Sequence, residues 1–164
     1  MKTNQLLAGA CFAALSLAPS LHVAAQPVCG EFSFYGDYVE VHHADHGESG
    51  AGHGDARHGH GQLLDQDGNE IGLSYFHSVV GPGADEQYFR MIGVAHYEFS
   101  NGSIITSSTY ELPHPAHNAP PPDSGGYSAV IGGTGEFAGA RGVIQWVDDE
   151  DGNRRGDVII ECLD

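Results

Sequence analysis

The chain has 164 residues and a formal net charge of −16, from 22 Asp and Glu against 6 Lys and Arg. That length suits one domain and leaves no room for two sizeable cores. So acidic a surface repels phosphate backbones, which excludes nucleic acid as a partner. With 24 Gly, 8 Pro and 40% hydrophobic residues, the composition is that of a soluble, often-punctuated globular protein.

Residues 1–25 read as a signal peptide. Lys2 supplies a positive start, Leu6 to Leu17 is apolar and uncharged, and Val23-Ala24-Ala25 offers small residues for cleavage before Gln26. The apolar run is about a dozen residues, short of the roughly 20 that a bilayer span needs, so no membrane span is expected. Cleavage would place residues 26–164 outside the cell or in the periplasm as the barrel-forming domain. It would also remove Cys11 and leave Cys29 and Cys162, one near each end. An even cysteine count in an exported chain reads as a disulfide joining the terminal strands.

After residue 26 no stretch keeps a helical apolar period, whereas period-two runs recur between Gly, Asp, Asn and Pro. Strands are expected at 30–41, 60–65, 70–80, 86–99, 103–112, 126–132, 139–148 and 155–162. Asp67-Gly68-Asn69, Asn101-Gly102 and Asp151-Gly152-Asn153 supply tight hairpin turns, and Gly81-Pro82-Gly83 a looser loop. About eight strands in antiparallel succession favour an all-β fold, a single eight-stranded antiparallel barrel whose closure removes exposed edges.

Two segments interrupt this pattern. Residues 42–60 hold His42, His43, His46, His53, His58 and His60 among Gly, Ala and acids, and read as a long loop. Imidazole suits Zn²⁺, Cu²⁺ and Ni²⁺, and Asp45, Glu48 and Asp55 could complete a shell. The spacing matches no fixed metal signature, and the glycines predict a floppy chelator. Its plainer alternative is a pH-responsive linker. Residues 113–126 are a second loop, with Pro120-Pro121-Pro122 favouring extended polyproline.

One segment carries a family resemblance. Residues 129–142, Ala-Val-Ile-Gly-Gly-Thr-Gly-Glu-Phe-Ala-Gly-Ala-Arg-Gly, resemble the GGTGxFxxARG signature of dirigent proteins and the GGxGxFxGAxG segment of allene oxide cyclases. Phe32-Ser33-Phe34-Tyr35-Gly36-Asp37 is similar to the first dirigent strand, and Gly93 to Phe99 with the hairpin into Ser103–Tyr110 fits the central strands. The resemblance implies a calycin-like barrel needing no cofactor, with Phe137 as a plug. Its chemistry would be cyclisation, isomerisation or stereoselective coupling of a small hydrophobic or phenolic molecule, and it would often assemble as a homodimer or homotrimer. It also implies Asp37 and Arg141 as steering charges; Glu136 lies at a variable position, and Glu31 is the candidate counterpart of the cyclases' catalytic glutamate, its register left open.

Alternation adds further candidates. On the fourth strand Tyr88, Arg90, Ile92, Val94, His96 and Glu98 share one face, and Phe89, Met91, Gly93, Ala95, Tyr97 and Phe99 the other. Either the first set lines a polar lumen or the second fills the core, because a one-residue slip exchanges the faces. Arg90, His96 and Tyr110 therefore join Asp37 and Arg141 as candidate lumen residues. The rival to a steering protein is a non-catalytic carrier, or a metal buffer using the histidine segment.

Overall fold

The computed structural model describes residues 27–47, 52–83, 87–113, 126–148 and 154–162. The signal segment and residues 114–125 of the proline-rich segment lie outside these. Eight strands follow in chain order: β1 (Gly30–Ala44), β2 (Ala56–Leu64), β3 (Glu70–Pro82), β4 (Tyr88–Phe99), β5 (Gly102–Pro113), β6 (Tyr127–Gly135), β7 (Arg141–Asp148) and β8 (Arg154–Glu161). Each pairs antiparallel with the next, and β1 pairs with β8 to close the barrel. The long first strand serves both neighbours: Gly30 to Tyr35 pair with β8, and Tyr35 to Ala44 with β2. Among the described residues no helix is long and apolar enough to cross a membrane.

The two ends of the barrel differ. At the end where β1 begins, Phe34, Phe99, Phe137, Ile104, Ile144 and Ile160 fill the interior. Phe137 is fully buried in the turn after β6, its ring 5.6 Å from that of Phe99 and 6.3 Å from that of Phe32. Two glycines make this plug fit. Gly135 takes φ +61°, and a Cβ at Gly133 would collide with the Phe137 carbonyl. Cys29 and Cys162 are disulfide-bonded at the same end, with Cα atoms 6.0 Å apart, and both pack against this cluster.

The histidine segment is not the long loop that its composition predicts. β1 runs on to Ala44 and β2 starts at Ala56, with His42 opposite His58 and His43 opposite Arg57. A β-ladder is held by backbone hydrogen bonds, so histidine and glycine can extend a hairpin whose side chains offer no apolar signal. The turn is tied as well. The Asp55 carboxylate accepts the amides of His46 (2.9 Å) and Gly52 (2.6 Å), and the Gly54 amide reaches the Val80 carbonyl at 2.9 Å.

These amide bonds, that from His46 first, hold the Asp55 pKa below its ordinary 3.8, and bonds from Asn69 do the same for Asp65 in the β2–β3 turn. A lowered folded-state pKa stabilises the fold above the ordinary value. That contribution is lost as pH falls through the depressed one. In an NMR titration, the amide shifts of His46 and Gly52 should therefore report a carboxyl that protonates below 3.8. A midpoint at or above that value would mean the turn is not tied as described.

Candidate functional site

Directly paired residues on antiparallel strands share a face, so the register fixes what looks inward. One inward row runs from His43 to Arg57, Ser78, Gly93, Ser108, Ser128 and Ile144. Its middle members are small and closely packed: Ser78 and Ser128 are buried, and a Cβ on Gly93 would come within 3.0 Å of the Ser78 Cβ. The rows beside it are large: Tyr110 pairs with the buried Met91, and Ile104 with the buried Tyr97. The result is a lumen packed solid at one end and open at the other.

Gly36, Tyr38, Phe76, Tyr97, Trp146 and Arg154 surround a small cavity of about 30 Å³. The Trp146 indole N–H donates to the Ser128 hydroxyl at 3.0 Å, which fixes the ring. The Arg154 guanidinium lies 5.5 Å from the Trp146 ring centroid, within cation–π range. Burial pushes the Tyr97 phenol well above its usual pKa, so it stays protonated at neutral pH. A Cβ at Gly36 would meet no atom within 4 Å, so this glycine faces open space.

Arg57 and Tyr110 face one another across the open end. Burial raises the Tyr110 pKa, while the Arg57 guanidinium, both as a charge and through a hydrogen bond, pulls it down. The Nε of Arg57 is buried and has no hydrogen-bond partner. Arg154 also acts on Tyr110 electrostatically, so two guanidiniums bear on one phenol. This end of the lumen can orient a small ring through aromatic walls, hydroxyls and two cations.

The sequence-predicted residues divide between inside and outside. Tyr110 is inside. Asp37 is exposed, opposite Gln62 on the outer face, because Phe34 and Gly36 take the inward positions of β1. Arg90 sits outside in an ion pair with Glu111 at 3.1 Å. His96 lies outside in a ladder His60–Tyr75–His96, with ring centroids 6.4 Å apart at each step. On β4 it is the second face, Phe89 to Phe99, that fills the core. Arg141 is exposed opposite Glu161, and its Nη1 donates to the Ala140 carbonyl at 2.6 Å. The structure thus does not bring Asp37 and Arg141 together in the lumen.

The six histidines are also dispersed. His42 stacks on His58 at 5.1 Å and meets Glu40 at 2.9 Å, both on the outer face. His43 is at the inward rim beside Arg57, and the His53 ring packs edge-on against Phe89 at 5.3 Å. Among the described residues no group of three or more His, Cys, Asp or Glu is placed to hold a metal ion.

Sequence reasoning missed Arg57, Arg154, Tyr38, Phe76 and Trp146. A signal for Arg57 did exist. It alternates with His58 and His60 and shares its period-two face with Gly59, Gly61 and the fully buried Leu63.

These features define a class: a closed antiparallel β-barrel with one plugged end and an aromatic, cation-bearing lumen. No protein-family model matches the chain, and no curated protein does. Solved structures do. A pyocyanin demethylase is 17% identical with a TM-score of 0.64, covering 80% of this chain and 99% of that one. The Diels–Alderase AbmU of Streptomyces koyangensis is 13% identical with a TM-score of 0.58, covering 84% of this chain and 64% of its own. A pterocarpan synthase dirigent protein is 18% identical with a TM-score of 0.51, covering 87% and 98%. The chain therefore shares its barrel fold with these three proteins.

Proposed function

We propose that this is an exported barrel which binds a small hydrophobic or phenolic molecule in its open lumen and steers that molecule's cyclisation, isomerisation or coupling. The observation that carries the reading is the cavity on the inner face between Gly36, Tyr38, Phe76 and Arg154 and the Tyr97–Trp146 wall, where Tyr38 and Arg154 face inward yet remain exposed. The names of the three structural neighbours, a demethylase, a Diels–Alderase and a dirigent synthase, fit a site that acts on ring systems. The disulfide fits export. Confinement would do most of the chemistry, since fixing one conformer removes the orientational entropy of the reaction.

The test uses a prochiral 4-propenylphenol and an added one-electron oxidant. Each phenol gives one electron to the oxidant and its proton to solvent, and two radicals join through a new C–C bond. The same assay is run on a substrate that closes its ring spontaneously. With the barrel present, at least one product should show an enantiomeric excess that Gly36→Leu abolishes, because the leucine fills the cavity without a backbone clash. Racemic products from both substrates would overturn the steering reading. Binding without any excess would leave a carrier.

A further inference from the structure

The mouth of the lumen has the wrong charge for this protein. The chain carries 22 acids, yet the described inward-facing strand positions hold Arg57, Arg154 and His43 against one carboxylate, Asp148. Asp148 stands opposite Arg154 at the last pair of the β7–β8 ladder, at the rim. Elsewhere the arginines have partners outside the lumen: Arg90 with Glu111, Arg155 with Asp157, and Arg141 with the Ala140 carbonyl. Among the described residues neither Arg57 nor Arg154 makes an ion pair. Arg57 lies close enough to Tyr110 to act on its ionisation and keeps a buried Nε with no partner, and Arg154 lies over Trp146.

A buried donor left without a partner is unfavourable, and a guanidinium is built to grip a carboxylate or an anionic oxygen through a fork of N–H groups. Arg154 lines the aromatic-walled cavity, and both it and Arg57 act on Tyr110 at the same end of the lumen, so the pair is suited to a specific ligand shape. Tyr38, Tyr97 and Trp146 offer aromatic faces at the exposed mouth beside the cavity, and a negative group on a ring lying there would complete the guanidinium hydrogen bonds. The low-dielectric walls strengthen that attraction compared with an arginine on the surface. The acidic exterior would repel such a ligand at long range, so the two cations must act locally, and salt screening of the exterior should help entry.

We propose that the ligand taken by this lumen is a planar aromatic anion, a carboxylate or phenolate, held between Arg57 and Arg154. This rests on the lumen being the binding site, and it adds the charge of the ligand.

Calorimetry with 2-naphthoate and its neutral isostere 2-naphthamide, on the disulfide-bonded chain, tests it. The carboxylate should bind roughly 10-fold tighter than the amide, the order expected for one charge-assisted hydrogen bond. Arg57→Gln and Arg154→Gln should each bring the carboxylate-to-amide affinity ratio to about 1, and Arg57→Lys should keep part of the preference. Equal affinity of the two probes for the unaltered chain overturns the anion inference and leaves the lumen reading standing. Preference that survives both glutamine variants overturns the assignment to these arginines. If neither probe binds a chain that circular dichroism shows to be folded, the lumen reading falls as well.

Discussion

Phe137→Ala is expected to destabilise the barrel by about 3–5 kcal/mol, the range for truncating a buried phenylalanine. Phe137 has no exposed surface, and its ring touches Phe32 and Phe99 across the plugged end. Its neighbours cannot collapse into the void, because they sit on a closed ladder whose strands cannot shift singly. The residue also organises its own turn: its amide bonds the Thr134 carbonyl at 3.1 Å, and its carbonyl takes the Ala140 amide at 2.9 Å. Those bonds survive the substitution, so the loss is one of packing. With a urea m-value of about 2 kcal/mol/M, the midpoint should fall by roughly 2 M. A loss under about 1 kcal/mol would show that the end is not plugged by this ring.

Removing the Cys29–Cys162 bridge is expected to have an effect of similar size, by a different route. The linked residues are 133 apart in sequence, and closing so long a loop in the unfolded chain is worth about 5 kcal/mol at most by chain-entropy arithmetic. Strain or residual structure lowers that figure, so a Cys29→Ser/Cys162→Ser variant should lose about 3–5 kcal/mol. The gain acts on the unfolded state, so the folded lumen should keep its affinity for a ligand at temperatures where the variant is folded. Equal thermal midpoints for the oxidised and double-serine chains would show that the staple is idle. Both cysteines pack against the cluster that holds Phe137, so combining the two changes should depart from additivity.

Much of the architecture was legible in the residues. Period-two runs and turn dipeptides located all eight strands, and the order of hairpins implied closure. The glycine-rich segment ending at Arg141 announced the plug at Phe137. The histidine hairpin was not legible, because its strands carry no apolar alternation and are held by backbone pairing and by Asp55. Of the five candidate steering residues only Tyr110 faces the lumen, and of the six histidines His43 reaches its rim. Asp37, Arg90, His96 and Arg141 carry the expected chemical groups but sit one residue out of phase with the inward set. Arg57 and Arg154 went unnoticed because a charged residue in a polar segment is ordinarily solvated.

Sequence alone determined an acidic, eight-stranded barrel with Cys29 and Cys162 flanking its strands, since alternation, turn chemistry and cysteine count are local properties of the chain. Tertiary structure decided which side of every strand faces inward. Alternation defines two faces without naming them, and only closure, with Phe34, Met91 and Val158 driven into the shared interior, selects one. That selection turned two arginines toward the lumen and four expected site residues away from it.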